Sequence, residues 1–122
     1  MLMLSTGCRR DERLLDELEK IGKEAFVGVV SNALNDTCVA VFMRTGIGRH
    51  VKMLIAGPHE RPKPDPGPFL KALSAAHLDP KDTIAVEDNH YGIEAAENAG
   101  LRCLRVAGPS DVTYEFVMSG FS

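Results

Sequence analysis

An excess of basic residues is absent from this sequence. Its 122 residues contain 14 Lys and Arg against 17 Asp and Glu, which gives a formal net charge of −3. Binding to a nucleic-acid backbone depends on a positive field that neutralises phosphates. We therefore expect no nucleic-acid partner.

Cysteine is scarce and scattered. The three cysteines are Cys8, Cys38 and Cys103, and no two of them form a Cys-x-x-Cys pair. An odd number at wide spacing argues against a disulfide framework and against a structural zinc site. We expect reduced thiols in a cytoplasmic protein.

Long apolar runs are also missing. No stretch approaches the roughly 20 apolar residues that a membrane-spanning helix needs, so we expect no membrane association. The composition, 44% hydrophobic and 25% charged, is that of an ordinary globular protein. The length allows one domain at most.

Helical and strand patterns alternate along nearly the whole chain. Helical spacing or capping residues predict helices, and short β-branched runs predict buried strands. The predicted helices cover residues 10–24, 35–44, 66–76 and 91–99, and the predicted strands cover 26–30, 51–56, 83–86 and 102–106. This order predicts an α/β fold, a Rossmann-like parallel sheet with helices on both faces. The tail from 109 to 122 has no clear period.

Individual residues define the expected ends and faces of these helices. Asn35 or Asp36 is expected to cap the second helix, and Asp65 the third, with Pro66 at its first position. The buried faces are expected to contain Leu14, Leu15, Leu18 and Ile21 in the first helix, and Phe69, Leu70, Leu73 and Ala76 in the third.

Polar residues follow three of the predicted strands. Ser31-Asn32 comes after the first strand, Lys63 lies in the loop after the second, and Glu87-Asp88 closes the third. In open α/β sheets, ligands bind at the carboxyl ends of the strands. We expect the three groups to form one pocket.

Ser31 and Lys63 have the chemistry of an anion site. The Ser31 hydroxyl and nearby backbone N–H groups suit a phosphate oxygen, although Ser31 and Asn32 can equally make a simple turn. Lys63 stands between Pro62 and Pro64, which stiffen the backbone around its charge. A fixed ammonium neutralises charge on a phosphoryl group, whereas an ordinary surface lysine is merely solvated.

Glu87 and Asp88 are adjacent carboxylates after an apolar strand. Two like charges there are costly unless a cation compensates, and Mg²⁺ prefers carboxylate and phosphate oxygens. The alternative is a helix cap formed by Asp88 or Asn89, which is compatible with metal binding. The histidines are weaker candidates: His50 and His59 are expected to be exposed in loops.

The motifs at these positions resemble the haloacid dehalogenase superfamily, in the branch of phosphoglycolate phosphatases and β-phosphoglucomutases. The resemblance is carried by Val29-Val-Ser-Asn32, Lys63-Pro-Asp-Pro-Gly-Pro-Phe-Leu-Lys-Ala-Leu73, Ile84-Ala-Val-Glu-Asp-Asn89, Gly92-Ile-Glu-Ala-Ala96 and Ala99-Gly100. It covers about residues 10 to 107, with the motifs in the family's order and spacing.

The resemblance implies a role for each candidate residue. Ser31 would bind the transferring phosphoryl group, with Asn32 beside it, and Lys63 would link nucleophile and phosphate. Asp88 and Glu87 would hold Mg²⁺. Asn89 stands where family members commonly have serine or threonine.

One family motif is missing. The family's first strand leads into Asp-x-Asp-Gly, whose first aspartate attacks phosphorus, and no Asp-x-Asp occurs in this sequence. The helical cap that selects the substrate is missing too, so we expect residues 1–122 to form a single partial core domain. In the family that strand lies between the strands expected here at 26–30 and 83–86, and its loss would leave two open sheet edges.

These observations predict a Mg²⁺-dependent phosphatase for a small phosphorylated metabolite, truncated and inactive as this chain. The alternative is a non-catalytic protein that binds phosphate and Mg²⁺, or that forms a homodimer by strand exchange through the open edges. Hydrolytic dehalogenation shares the scaffold, but the acidic pair argues against it, because that chemistry needs no magnesium.

Overall fold

The computed structural model describes residues 10–121. Within this range Cys38 and Cys103 are free thiols, as expected, whereas Cys8 lies outside the described residues. None of the helices in this part of the chain is both long enough and apolar enough to cross a membrane.

Within residues 10–121, five α-helices and four strands alternate in chain order. The helices are α1 (Glu12–Gly22), α2 (Asn35–Thr45), α3 (Gly67–Ala76), α4 (His90–Asn98) and α5 (Tyr114–Ser119). The strands are β1 (Gly28–Leu34), β2 (Met53–Gly57), β3 (Ile84–Glu87) and β4 (Arg102–Arg105). Every helix and strand that the sequence predicts is present. The short α5 was missed, because six residues are too few to show a helical period.

The strands form two parallel pairs rather than one continuous sheet. β1 pairs with β2, and β3 pairs with β4. The α/β class with parallel strands is therefore confirmed, and among the described residues β1 and β3 belong to different sheets. This division corresponds to the sheet that the sequence predicts to be incomplete at its N-terminal strand.

Two apolar clusters hold the two sheets together. One contains the buried face of α1, including Leu18, together with Val27 before β1 and Ile84 and Val86 of β3. The other joins Val30 of β1 to Ala85 of β3 beneath α3 and α4. Each cluster thus contains residues from the β1–β2 half of the molecule and from the β3–β4 half, so that neither sheet has a separate core.

The end of β1 differs from the prediction. Ser31 and Asn32 do not end the strand, which continues to Leu34 with a shift in register against β2 between Val30 and Leu34. At this shift the backbones approach so closely that a Cβ on Gly57 would lie 2.5 Å from the Asn32 carbonyl oxygen. Glycine at 57 permits the irregular pairing.

Two predicted helix caps are corrected. Leu34 occupies the cap position of α2 and makes no side-chain cap bond, while Asn35 and Asp36 already lie inside the helix. At α3 the cap position is Pro66, and the Asp65 carboxylate accepts a hydrogen bond from the Gly67 N–H (2.8 Å). Asp65 therefore supports the helix start from one residue farther out than predicted.

The buried face of α3 is also narrower than the apolar pattern suggested. Phe69 and Leu73 are buried, as predicted, but Leu70 is 47% exposed and Ala76 is only half-buried, while Ala72 is buried instead. Packing against both β1 and β2 selects the face that contains 69, 72 and 73. The prediction for Leu70 was wrong because apolar character alone does not show which side of a helix faces the sheet.

Candidate functional site

Strand β1, the loop after β2 and the end of β3 meet around the ammonium of Lys63. The loop after β2 brings this side chain inward, so that only 1% of it is exposed. Its Nζ donates to the Val30 carbonyl oxygen (2.8 Å) and to both carboxylate oxygens of Glu87 (3.1 and 3.3 Å). It also lies 4.8 Å from the centroid of the Phe69 ring. Lys63 therefore bridges the strand that carries Ser31 and the strand that precedes Asp88.

Burial shifts the pKa values of both members of this ion pair. Desolvation lowers the pKa of Lys63 from its ordinary value, and the nearby Glu87 carboxylate opposes that shift. Desolvation likewise raises the pKa of Glu87, against the opposing effect of Lys63. Two charges buried together persist only when hydrogen bonds satisfy them, which these two residues provide for each other.

Ser31 and Asn32 lie beside Lys63 in different ways. The buried Ser31 accepts a hydrogen bond at Oγ from the Ala33 N–H (3.0 Å), which leaves its own hydroxyl hydrogen to donate. The Asn32 amide instead pairs with the Lys63 main chain: Oδ1 accepts from the N–H (3.0 Å) and Nδ2 donates to the C=O (3.3 Å).

His59 was not predicted to belong to this region. It is half-buried rather than exposed, and its Nε2 lies 2.6 Å from the Ser31 carbonyl oxygen. Because a carbonyl can only accept, this contact requires a proton on Nε2. No local pattern pointed to it, since it depends on a contact between residues 28 positions apart in the chain.

Glu87 and Asp88 differ sharply in their surroundings. Glu87 is fully buried at the end of β3, while Asp88 is half-buried, and its Oδ1 accepts from Asn89 Nδ2 (3.3 Å). The cap of α4 is Asn89, whose Oδ1 accepts from the Gly92 N–H (2.9 Å). Of the two predicted caps, Asn89 is thus confirmed, and the Asp88 carboxylate contacts the Asn89 side chain instead.

Gly92 is a second residue that sequence reasoning passed over. A Cβ there would lie 1.8 Å from Glu87 Oε1, so any larger residue would collide with the carboxylate. The available signal was a glycine in the first turn of a predicted helix, which usually has a packing reason.

Glu87 and Asp88 could supply only some of the ligands that a Mg²⁺ ion needs, not its whole coordination shell. No group of three or more His, Cys, Asp or Glu side chains within residues 10–121 is arranged to hold a metal. Both Glu87 oxygens already accept hydrogen bonds from Lys63, which leaves Asp88 as the better-placed carboxylate. Mg²⁺ often takes one or two protein carboxylates and completes its shell with water and phosphate oxygens, which is compatible with this arrangement.

Known proteins match this chain over most of its length. Residues 10–106 match the model of the haloacid dehalogenase-like hydrolase family. Pyrophosphatase PpaX of Bacillus velezensis is 38% identical over 94 residues, which are 76% of this chain and 43% of the relative. N-acetylmuramic acid 6-phosphate phosphatase of Pseudomonas aeruginosa is 32% identical over 76% of this chain and 41% of its own length. The chain therefore spans less than half of these relatives.

A solved structure confirms the fold. A HAD-superfamily hydrolase of subfamily IA from Geobacter sulfurreducens superposes with a TM-score of 0.77 at 19% identity, covering 92% of this chain and 56% of that structure. At this identity the likeness shows the fold alone. The family model matches residues 10–106, a range that includes Ser31, Lys63 and Asp88, and on that match the chain belongs to the haloacid dehalogenase-like hydrolase family.

Proposed function

We propose that this chain carries the phosphate-holding part of a Mg²⁺-dependent phosphatase that acts on a small phosphorylated metabolite. The observation that supports this most is the position of Lys63, whose ammonium contacts Val30, next to Ser31, and Glu87, next to Asp88. Lys63 thus joins the strand that carries Ser31 to the strand that precedes Asp88, which supports a site shared by the Ser31 hydroxyl and the Asp88 carboxylate.

Each residue has a role in this proposal. Ser31 donates its hydroxyl hydrogen to a phosphoryl oxygen, and Lys63 supplies positive charge beside it. Preorganised donors of this kind stabilise the charge that develops during phosphoryl transfer. Glu87 keeps the lysine charged and in place through their paired hydrogen bonds.

Asp88 is the proposed protein ligand of Mg²⁺, with Glu87 as the second carboxylate in reach. The ion, when bound, would polarise phosphate oxygens and neutralise their charge. Asp88 follows β3 directly and lies at the edge where Lys63 is held, so both residues can face one anion.

The substrate class rests on the relatives. One is named a pyrophosphatase and another an N-acetylmuramic acid 6-phosphate phosphatase. We propose a small phosphate ester or anhydride as substrate, and residues 1–122 as one partial core domain without a cap. The sequence contains no Asp-x-Asp, so the chain by itself would lack the attacking carboxylate and would be inactive.

Two measurements test this proposal. Purified chain with Mg²⁺ should not turn over p-nitrophenyl phosphate, but it should turn it over when a segment bearing Asp-x-Asp-Gly from a relative is co-expressed. Inorganic phosphate, followed by ³¹P NMR, should bind the wild type and bind S31A more weakly. S74A, which removes the hydroxyl of an exposed serine on α3, is the matched control. Turnover by the chain alone, or equal phosphate binding by S31A and S74A, would contradict the proposal.

A second candidate is a non-catalytic assembly protein. It is favoured by the division of the strands into two separate pairs, because two-stranded parallel sheets present edges that another chain can pair with. An apolar cavity of about 320 Å³ lies between α1, the segment before β1, β3 and α5, lined in part by Phe26, Val27 and Ile84. Exchange of strands there would produce a homodimer. Sedimentation that shows a monomer at all concentrations would exclude this candidate.

A further inference from the structure

We infer that Asn32 is a positioning residue for Lys63 and not a ligand of the phosphate. This inference rests on the proposed function, and it departs from the role that the family resemblance implies for Asn32. Its basis is the pair of hydrogen bonds by which the Asn32 side chain grips the main chain of Lys63.

The pairing uses both chemical ends of the amide. The oxygen accepts from the Lys63 N–H, and the nitrogen donates to the Lys63 C=O. The two bonds fix one peptide segment in position and orientation, as a single bond would not. Of the donors on the Asn32 side chain, only the second Nδ2 hydrogen stays outside the pair.

The position of this contact gives it a consequence for the site. Lys63 lies in a loop, 31 residues from Asn32, and its ammonium must reach Val30 and Glu87. Asn32 holds the backbone end of that side chain, and Val30 and Glu87 hold the charged end. Lys63 is thus fixed at both ends, which sets the position of its charge before any anion arrives.

Charge and geometry both favour this role. Asn32 pairs with neutral peptide groups, so the contact does not depend on an ion being bound. The Asn32 carbonyl oxygen also lies close to Gly57 at the register shift, so that Asn32 is beside β2. An amide serves both bonds, whereas a carboxylate would place an oxygen against the Lys63 carbonyl.

NMR on the isotope-labelled 122-residue chain tests the inference without any activity. A through-hydrogen-bond coupling should join the Lys63 amide nitrogen to the Asn32 side-chain carbonyl carbon. In N32A the Lys63 amide should exchange with solvent at least about fivefold faster, as expected for loss of one typical hydrogen bond. The Lys63 Nζ resonance should also shift. N32D should disturb the same signals, because it keeps the acceptor and loses the donor.

The matched control is N35D, which makes the same chemical change at an exposed asparagine three residues on. It should leave the Lys63 amide exchange unchanged. Absence of the coupling in the wild type, or N32A exchange equal to wild type, would overturn the inference. So would loss of inorganic phosphate binding in N32A with unaltered Lys63 signals, since that would make Asn32 an anion ligand. If phosphate binds none of the proteins while the coupling is present, the anion site fails and the positioning role stands.

Discussion

At the scale of single residues, the candidate site depends on the buried pairing of Lys63 with Glu87. The side chains of Lys63 and Glu87 are each 1% exposed. Their hydrogen bonds depend on the relative positions of β1, the loop after β2 and the end of β3. Removing one partner of such a pair leaves the other charge buried without compensation. The pair is therefore expected to be far more sensitive to single changes than to joint replacement.

We predict that K63M lowers the free energy of unfolding by about 3–5 kcal/mol, the usual cost of breaking a buried ion pair from one side. The double variant K63M/E87L should recover much of that loss, because no charge stays buried. Urea denaturation of K63M, E87L and the double variant measures the coupling energy between the two side chains. Additive losses would show that the two side chains do not pair in solution.

Gly92 gives a second prediction at this scale. G92A should destabilise the protein by about 1–3 kcal/mol, because the new methyl group would overlap the Glu87 carboxylate. G22A is the matched control: no atom lies within 4 Å of a Cβ placed there, so it should be neutral or stabilising. Equal stabilities of the two variants, measured in urea, would contradict the close packing at Gly92.

We predict that Cys103 lowers the free energy of unfolding in alkali. Burial, reinforced by the Glu87 and Glu97 carboxylates, raises the pKa of the Cys103 thiol from 9.0 to about 11. The unfolded chain then loses this proton at lower pH than the folded one, so this contribution to stability is present below pH 9.0 and lost as pH rises toward about 11. The free energy of unfolding should fall less steeply across this window in C103A. Parallel curves for wild type and variant would show that Cys103 plays no part.

At the scale of helices and strands, the ends of elements were harder to predict than their existence. The apolar spacing of α1 gave its buried face correctly, since Leu14, Leu15, Leu18 and Ile21 are all buried. The cap is the residue at which the backbone φ and ψ change to helical values. Two residues of similar chemistry can compete for that position. The sequence favoured Asn35 or Asp36 as the cap of α2, whereas β1 extends to Leu34 and the cap lies there, one residue before Asn35 and two before Asp36.

The caps supply a prediction that separates a real cap from an apparent one. The Asp11 side chain accepts from the Leu14 N–H (3.2 Å), so D11A should cost about 1 kcal/mol. D36A removes the same charge from the first turn of α2, where it makes no cap bond, and should cost only about 0.3 kcal/mol through the helix dipole. Thermal unfolding compares them, and equal costs would mean that Asp36 also acts as a cap.

At the scale of the whole molecule, two sheets share two apolar clusters and one ion pair. Because each cluster contains residues from both halves, the halves should unfold together. L18A and L73A, in different clusters, should each cost about 2–5 kcal/mol and shift the same transition. L70A, on the same helix as Leu73 but 47% exposed, should cost about 0.5 kcal/mol.

Coincident transitions by circular dichroism and methyl NMR would verify that the molecule unfolds as one unit. Two separate transitions, with L18A affecting one and L73A the other, would instead show that the sheets are independent. A loss in L70A as large as that in L73A would place Leu70 in the core after all.

The sequence by itself determined the alternation of helices and strands, the resemblance to the family, and the set of polar residues on or after the strands. These features follow from local periodicity and from motif spacing, which a linear chain displays directly. Only the tertiary structure decided that Glu87 pairs with Lys63, that Asn32 grips the Lys63 backbone, and that Gly92 makes room for the carboxylate. The two contacts of Lys63 join residues 24 and 31 positions apart in the chain, and the contact at Gly92 depends on how α4 packs against the end of β3. Their geometry exists only once packing has brought the segments together.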